Sequence, residues 1–264
     1  MKIIIANWKN HPSTLIEAQE LFRAEVSMAE QYKNVQTVIC PPKEFLEQLA
    51  RDVVGTVFAS HSVLNSWPKC LRDKNYVPRK SLAIGAQDVF WEKSSDDFLV
   101  SHVLVGHSDR RYDLGETDEV VNFKLKTALG AGVVPILFVG EKEKGENREK
   151  VLLDQLTKDL IGLLPEQIAK ILFCYEPVWA ISTNPVAEAD SPENALEAIK
   201  FIQNFIAEKY HTQTIHCLYG GSVNENNVAV FLNNPEINGV VVGGASLHLE
   251  KFANVLKIVA NIKE

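Results

Sequence analysis

Residues 133–139 read VVPILFV, and this stretch shows how the chain is expected to fold. It lacks the polar alternation of a half-exposed strand, so it predicts a strand that is buried on both faces. Helical spacing precedes it at residues 118–130 and follows it at residues 147–163. A buried strand between two helices is the repeating unit of proteins built on a parallel sheet.

The same alternation continues along the chain in both directions. Comparable apolar runs occur at residues 3–6, 37–40, 82–85, 103–105, 133–139, 171–175, 215–218 and 239–242. Helical spacing is clearest at residues 14–29, 118–130, 147–163, 192–209 and 247–262. Ser191 and Pro192 mark one helix start, because serine caps the first turn and proline fits the first helical position.

Eight such units predict one domain over residues 1–264, an α/β fold whose eight parallel strands close into a (β/α)8 barrel. An open, doubly wound sheet is the alternative, but no Gly-x-Gly-x-x-Gly follows the first strand. Residues 55–80 interrupt the rhythm with Pro68, Pro78 and five basic residues. We expect an irregular insertion there, and a solvated loop is favoured over an anion site.

The composition excludes several classes of protein. Hydrophobic residues make up 46% and charged residues 23%, which rules out disordered and fibrous chains. A net charge of −7 argues against nucleic-acid and membrane partners, although a local pocket can still bind a small anion. The chain start lacks the pattern of a signal peptide, and no apolar stretch approaches the length of a membrane span.

The four cysteines, Cys40, Cys70, Cys174 and Cys217, form no Cys-x-x-Cys pair. This spacing argues against a zinc site or a redox motif. We interpret the thiols as reduced and mostly buried, in a cytoplasmic protein.

Three ionisable residues follow predicted strands, where parallel barrels carry their functional groups. Lys9 follows the first run, His107 the fourth and Glu176 the sixth. A carboxylate at the end of an apolar strand loses hydration, which raises its pKa and makes it a better base near neutral pH. Each residue also fits an ordinary role, as a surface lysine, a structural histidine or a salt-bridged glutamate. Residues 109–111, an aspartate and two arginines, are expected to form ion pairs that brace their loop.

Two glycine pairs follow the last two strands. Gly220 and Gly221 precede Ser222, and Gly243 and Gly244 precede a predicted helix start. Glycine lets the backbone approach a phosphate, and N–H groups at a helix start favour negative charge. Since the loops after strands seven and eight are the usual phosphate site of a (β/α)8 barrel, both pairs together predict phosphate binding.

The motifs resemble those of the triosephosphate isomerase family over nearly the whole chain, and they occur in the same order as in that family. The matching segments are residues 7–9 (NWK), 106–111 (GHSDRR), 139–141 (VGE), 175–181 (YEPVWAI), 219–223 (YGGSV) and 242–247 (VGGASL). The resemblance implies a TIM barrel that interconverts dihydroxyacetone phosphate and D-glyceraldehyde 3-phosphate in glycolysis and gluconeogenesis. It implies no metal and no organic cofactor, because only protons move.

The resemblance also implies roles for individual residues. Glu176 would move a proton between two carbons, and neutral His107 would polarise the carbonyl and shuttle a proton between oxygens. Lys9, with Asn7 beside it, would offset the charge of the enediolate and the phosphate. The implied phosphate contacts are backbone N–H groups near Ser182, Ser222, Gly243 and Gly244, and the implied supporting residues are Asp109, Glu141 and Tyr219.

Three features depart from the family pattern. The lid segment after Glu176 usually continues Ala-Ile-Gly-Thr-Gly, whereas residues 180–185 read AISTNP. Ser182 keeps an N–H for phosphate, but Pro185 stiffens the second hinge, so we expect altered lid closure. Asp109 replaces the usual glutamate and is one methylene shorter, which puts its contact with the lysine or the neighbouring helix in doubt.

The third departure concerns assembly. Residues 89–100 lack the Gly-Ala-Phe-Thr-Gly-Glu type of segment with which the family plugs a loop into a neighbouring subunit. We therefore expect a monomer, or a homodimer without the interlocking loop. Three other functions stay open at this stage: a catalytically weak phosphate-binding relative, another phosphate-binding barrel, and an interaction protein that uses residues 55–80. The joint presence of Lys9, His107 and Glu176 favours the isomerase.

Overall fold

The computed structural model describes residues 1–57, 81–89, 100–182, 187–212 and 214–262, and of residues 51–57 it describes the backbone alone. Several sequence predictions therefore lie outside the described residues. They concern the insertion at residues 58–80 with its Cys70, the lid positions 183–185, and most of residues 89–100.

Eight parallel strands form a closed barrel in chain order, which confirms the predicted fold class. They are β1 (Lys2–Asn7), β2 (Val35–Cys40), β3 (Leu82–Ala86), β4 (His102–Val105), β5 (Val134–Val139), β6 (Leu172–Tyr175), β7 (His216–Tyr219) and β8 (Gly239–Val242). β1 pairs with both β2 and β8, which closes the sheet on itself. The carboxyl ends of all the strands therefore meet at one rim.

The helices alternate with the strands around the barrel. In the described residues they are α1 (Leu15–Ala29), α2 (Lys43–Val57), α3 (Asp118–Gly130), α4 (Arg148–Asp159), α5 (Pro165–Ile168), α6 (Pro192–Tyr210), α7 (Val228–Leu232) and α8 (Leu249–Ala260). Side chains of Thr14, Thr117, Asn147 and Ser191 cap α1, α3, α4 and α6 by accepting a backbone N–H. None of the described helices has the length and apolar character of a membrane span.

Two helix boundaries differ from the sequence prediction. α2 continues to Val57, so its last turn occupies the first three residues of the segment that we expected to be irregular from residue 55. The single helix expected at residues 147–163 is shorter, because α4 ends at Asp159 and Gly162 adopts a positive φ of 73°. Only glycine takes such a conformation without strain, so the chain turns there.

Alternate strand residues point into the barrel, and the others pack against the helices. The inner cluster comprises Ile3, Ile5, Val38, Cys40, Leu104, Ile136, Phe138, Leu172, Cys174, Leu218 and Val241. Because side chains alternate along a strand, Asn7 continues the inward series of Ile3 and Ile5. Glu176 continues the series of Leu172 and Cys174 in the same way. Both side chains therefore emerge at the mouth of the barrel.

Candidate active site

Lys9, His107 and Glu176 lie together at the carboxyl ends of β1, β4 and β6, and all three line one cavity of about 450 Å³. His107 Nε2 is 3.1 Å from Glu176 Oε1. Lys9 Nζ is 3.4 Å from Asp109 Oδ2, and the same oxygen is 3.6 Å from His107 Nδ1. Three residues that are far apart in sequence thus form one continuous set of polar contacts.

The Glu176 carboxylate is almost fully buried, with 3% of the residue exposed. Its Oε2 accepts a hydrogen bond of 2.8 Å from the backbone N–H of Ser108. Burial raises the pKa of Glu176 to about 8, against the opposing effects of the Ser108 N–H and the Lys9 ammonium. The direction agrees with the sequence prediction and makes this carboxylate a base suited to near-neutral pH.

Hydrogen bonds define the tautomer of the neutral His107 imidazole. Its Nδ1 faces the backbone N–H of Asp109 at 3.2 Å and so accepts a hydrogen bond. The proton of the neutral ring is therefore assigned to Nε2, which points at Glu176. Burial lowers the pKa of His107, with Asp109 opposing the shift and Lys9 assisting it. The ring is thus a neutral hydrogen-bond donor at the cavity.

Lys9 has a strained backbone with a positive φ of 52°. The side-chain oxygen of Asn7 accepts a hydrogen bond of 3.1 Å from the Lys9 N–H. The shorter Asp109 side chain still reaches the Lys9 ammonium, so the contact that the sequence put in doubt is present. Asp109 therefore orients the lysine, and the ammonium points into the cavity.

The glycine-rich loops after β7 and β8 also line this cavity, together with Ser182 and Ser222. A Cβ built on Gly243 or Gly244 would meet nothing within 4 Å, so their backbone borders open space. A 3₁₀ turn, Gly244–Leu247, begins at the second of these two glycines. Ser222 differs, because both its N–H (3.3 Å) and its hydroxyl (2.8 Å) donate to the carbonyl of Ala180.

A family model described as triosephosphate isomerase matches residues 2–259. The chain belongs to the triosephosphate isomerase family. The match confirms the resemblance seen in the motifs and agrees with the closed barrel.

Curated relatives carry the same name. The triosephosphate isomerase of Dictyoglomus thermophilum is 36% identical over 97% of this chain and 98% of its own length. Those of Caldanaerobacter subterraneus subsp. tengcongensis and Geobacter metallireducens are each 35% identical over 96% of this chain, and over 98% and 97% of their own lengths. The similarity therefore extends over nearly the full length of this chain and of each relative.

Behind the cavity, Glu141 connects two parts of this triosephosphate isomerase family barrel. Its Oε1 accepts hydrogen bonds from the Tyr175 hydroxyl (2.8 Å) and from the Trp179 indole N–H (2.9 Å). Tyr175 directly precedes Glu176, and Trp179 lies in the 3₁₀ turn Val178–Ala180 that leads to the lid segment. Glu141 thus links the residue before Glu176 to the turn that follows it.

Tyr219 and the glycines also shape the rear of the site. Tyr219 stacks on Phe231 with ring centroids 4.1 Å apart. A Cβ on Gly140 would lie 2.1 Å from the carbonyl oxygen of Glu176, so only glycine leaves room for the backbone of Glu176. The packing of the rear wall therefore fixes where Glu176 leaves its strand.

The ion pairs expected at residues 109–111 are present. Arg111 Nη2 contacts Asp159 at 2.6 Å, and its Nε donates to the carbonyl of Gly106 at 2.8 Å. Arg110 contacts Asp88 and Glu116, and both acids also bind the buried Lys124 ammonium. These pairs brace the loop that carries His107.

The structure brings together all the residues that we expected to touch the substrate. Asn7, Lys9, His107, Glu176, Ser182, Ser222, Gly243 and Gly244 line one cavity. No role was assigned to Ser108 or Gln87 from the sequence, although both follow strand ends. Ser108 binds Glu176 through its backbone, which no side-chain motif could indicate, and Gln87 directly follows β3 as a polar residue after an apolar run.

Proposed function

We propose that this protein interconverts dihydroxyacetone phosphate and D-glyceraldehyde 3-phosphate through an enediolate, by general acid/base proton transfer. One observation carries the proposal: a buried carboxylate, a neutral imidazole and an ammonium converge on a cavity that two glycine-rich loops also line. Removing a proton next to a carbonyl requires a base, a donor for the developing oxyanion and a compensating positive charge. Glu176, His107 and Lys9 supply these three groups.

In the proposed reaction, Glu176 takes a proton from the carbon beside the carbonyl and returns it to the neighbouring carbon. The electrons of the C–H bond form the carbon–carbon double bond, and the carbonyl oxygen becomes the enediolate oxygen. His107 Nε2–H, which now points at Glu176 Oε1 at 3.1 Å, donates to that oxygen and moves a proton between the two oxygens. This division of roles between carboxylate and neutral imidazole is a known pattern in this family.

Lys9 would stabilise the negative charge that develops on the substrate, with Asn7 beside it. Its partner Asp109 lies at 3.4 Å, and 46% of the Asp109 side chain is exposed. A phosphorylated substrate brings two further negative charges close to the ammonium. We therefore expect Lys9 to bind substrate while Asp109 keeps its side chain in place, a supporting role like those of Glu141 and Tyr219.

The phosphate would lie against the backbone N–H groups of Ser182, Ser222, Gly243 and Gly244. The open space beside Gly243 and Gly244 supports this position. The Ser222 N–H is bonded to Ala180, so it becomes available only if the start of the lid segment shifts when phosphate binds. The reaction moves only protons, and no metal or organic cofactor is needed for it.

The partner implied by this site is a small phosphorylated triose, and we expect no nucleic-acid or membrane partner. The net charge of −7 supports this expectation. Cys40, Cys174 and Cys217 are buried free thiols, which supports the proposed cytoplasmic location.

A coupled assay with D-glyceraldehyde 3-phosphate tests the function, and its pH profile tests the base. We expect turnover, with kcat/KM falling about tenfold per pH unit below about pH 8 as Glu176 in the free enzyme takes up a proton. Since the pKa of His107 is lowered, its protonation adds no loss in the neutral range. No turnover at any pH would reject the proposed function, and a flat profile from pH 6 to 8 would reject Glu176 as the titrating base.

We also propose that the protein is a monomer, or a homodimer without the interlocking loop of its family. The sequence of residues 89–100 supports this, because it lacks the segment that enters the neighbouring subunit. Light scattering should give a mass near 29.5 kDa for the monomer, with specific activity that does not change on dilution. A dimer that places a residue of this segment in its partner's pocket would contradict the proposal.

A further inference from the structure

The backbone of Lys9 is held in its strained conformation by side chains on both sides of the residue. A non-glycine residue at a φ of 52° persists only where its surroundings fix it. Asn7 Oδ1 accepts the Lys9 N–H at 3.1 Å, and Gln87 Nε2 donates to the Lys9 carbonyl at 2.7 Å. Both polar groups of this residue's backbone therefore have a side-chain partner.

Gln87 ties together the carboxyl ends of three neighbouring strands. It directly follows β3, and its amide nitrogen also donates to the carbonyl of Cys40, the last residue of β2, at 2.9 Å. The third strand is β1, which ends two residues before Lys9. Because both partners are carbonyl oxygens, only the amide nitrogen can serve them, which fixes the orientation of the side chain.

We propose that Gln87 is a positioning residue for the isomerisation: through the Lys9 carbonyl it holds the Lys9 ammonium in the cavity. This inference rests on the proposed function. Gln87 does not line the cavity that holds Glu176 and the glycine-rich loops, so we expect it to act through Lys9 and not by touching substrate. A subunit without an interlocking neighbour has to hold Lys9 with its own side chains, and Gln87 meets that need.

The charge that Lys9 offsets is largest when the enediolate forms, so a misplaced ammonium slows the reaction more than it weakens substrate binding. Gln87→Met keeps the length of the side chain and removes both donors. We expect kcat to fall about 10- to 100-fold, as displacements of about 1 Å can do, with KM within about twofold of the wild type. Affinity for a phosphorylated hydroxamate, which mimics the enediolate, should fall in parallel, while affinity for inorganic phosphate should fall much less.

A double-mutant comparison shows whether Gln87 acts through Lys9. In a Lys9→Met background, Gln87→Met should change kcat/KM by less than about twofold, because the group it positions is already gone. Gln31→Met is the matched control; its amide caps a local carbonyl at the exposed end of α1. This control should leave kcat and KM unchanged.

Gln87→Asn, which keeps the amide but shortens its reach, serves as a second variant if Gln87→Met does not fold. Wild-type kcat in a folded variant, or an equal loss in the presence and absence of Lys9, would overturn the positioning role. Neither result bears on the proposed function, which fails only if the wild-type protein itself has no isomerase activity.

Discussion

Replacing Glu176 with glutamine is expected to lower kcat by about 10³-fold or more, near the upper end of what a general base contributes. The amide has nearly the shape of the carboxylate and can still accept the hydrogen bond that Ser108 N–H makes at 2.8 Å. It cannot take a proton from carbon at any pH near neutrality. We expect KM to change little, because other residues of the cavity make the proposed phosphate contacts.

The matched control is Glu143→Gln, which makes the same chemical change on an exposed residue of the loop after β5. It should leave kcat, KM and the unfolding midpoint unchanged. Circular dichroism of Glu176→Gln should match the wild type, since the variant preserves shape and hydrogen bonding. If Glu176→Gln retained more than about a tenth of wild-type kcat, another group would have to be the base.

The convergence of Lys9, His107 and Glu176 could be predicted from sequence because barrel closure removes most of the geometric uncertainty. Each residue follows an apolar run, and a closed parallel sheet brings every carboxyl strand end to one rim. Glu176 directly follows β6 and points inward, and its burial there likewise determines the direction of its pKa shift. These conclusions need only the strand positions and the period-two alternation of side chains.

The contacts that orient the three groups could not be predicted, because they depend on loop conformation. A lysine carries no sequence signal for a positive φ, so neither the strain at Lys9 nor the support from Gln87 was evident. The reach of Asp109 to Lys9 likewise depends on how two loops meet, and counting methylenes alone suggested a lost contact that the structure retains.

The shortest helices escaped prediction for a different reason. α5 has four residues and α7 has five, so neither spans enough turns for a period of 3.6 to be recognised in the sequence. α4 occupies most of what appeared to be one helix at residues 147–163, and the turn at Gly162 separates α4 from α5. These elements lie outside the rim, and the errors therefore do not affect the assignment of the site.

The largest expected effect on stability is that of Arg111→Met, at about 3–5 kcal/mol of the free energy of unfolding. Arg111 is buried and contacts Asp118 at 2.7 Å and the fully buried Asp159 at 2.6 Å. Without the guanidinium, the buried Asp159 carboxylate loses the cation that contacts it, and the exposed Lys158 ammonium compensates little. The carbonyl of Gly106, which precedes His107, also loses its donor, so activity should fall along with stability.

The free energy of unfolding that Arg111→Met removes should increase as the pH rises. Burial raises the pKa of Asp159 to about 7 even with Arg111 present, so the folded state binds this proton more tightly than the unfolded state does. A group of this kind favours folding at low pH and loses that contribution as pH rises through the folded pKa. Removing Arg111 raises the folded pKa further, so the variant should lose more stability at pH 8 than at pH 5, measured by urea unfolding.

Two companion variants separate this charge effect from the loss of packing. Lys158→Met removes an exposed cation that contacts the same Asp118 at 3.1 Å, and it should leave the urea unfolding midpoint nearly unchanged because water screens exposed pairs. Adding Asp159→Asn to Arg111→Met removes the stranded charge, so the stability loss of this double variant, measured against Asp159→Asn alone, should show no difference between pH 5 and pH 8. If the double variant kept that difference, Asp159 would not be the titrating group, and the buried pair would stabilise the loop through packing alone.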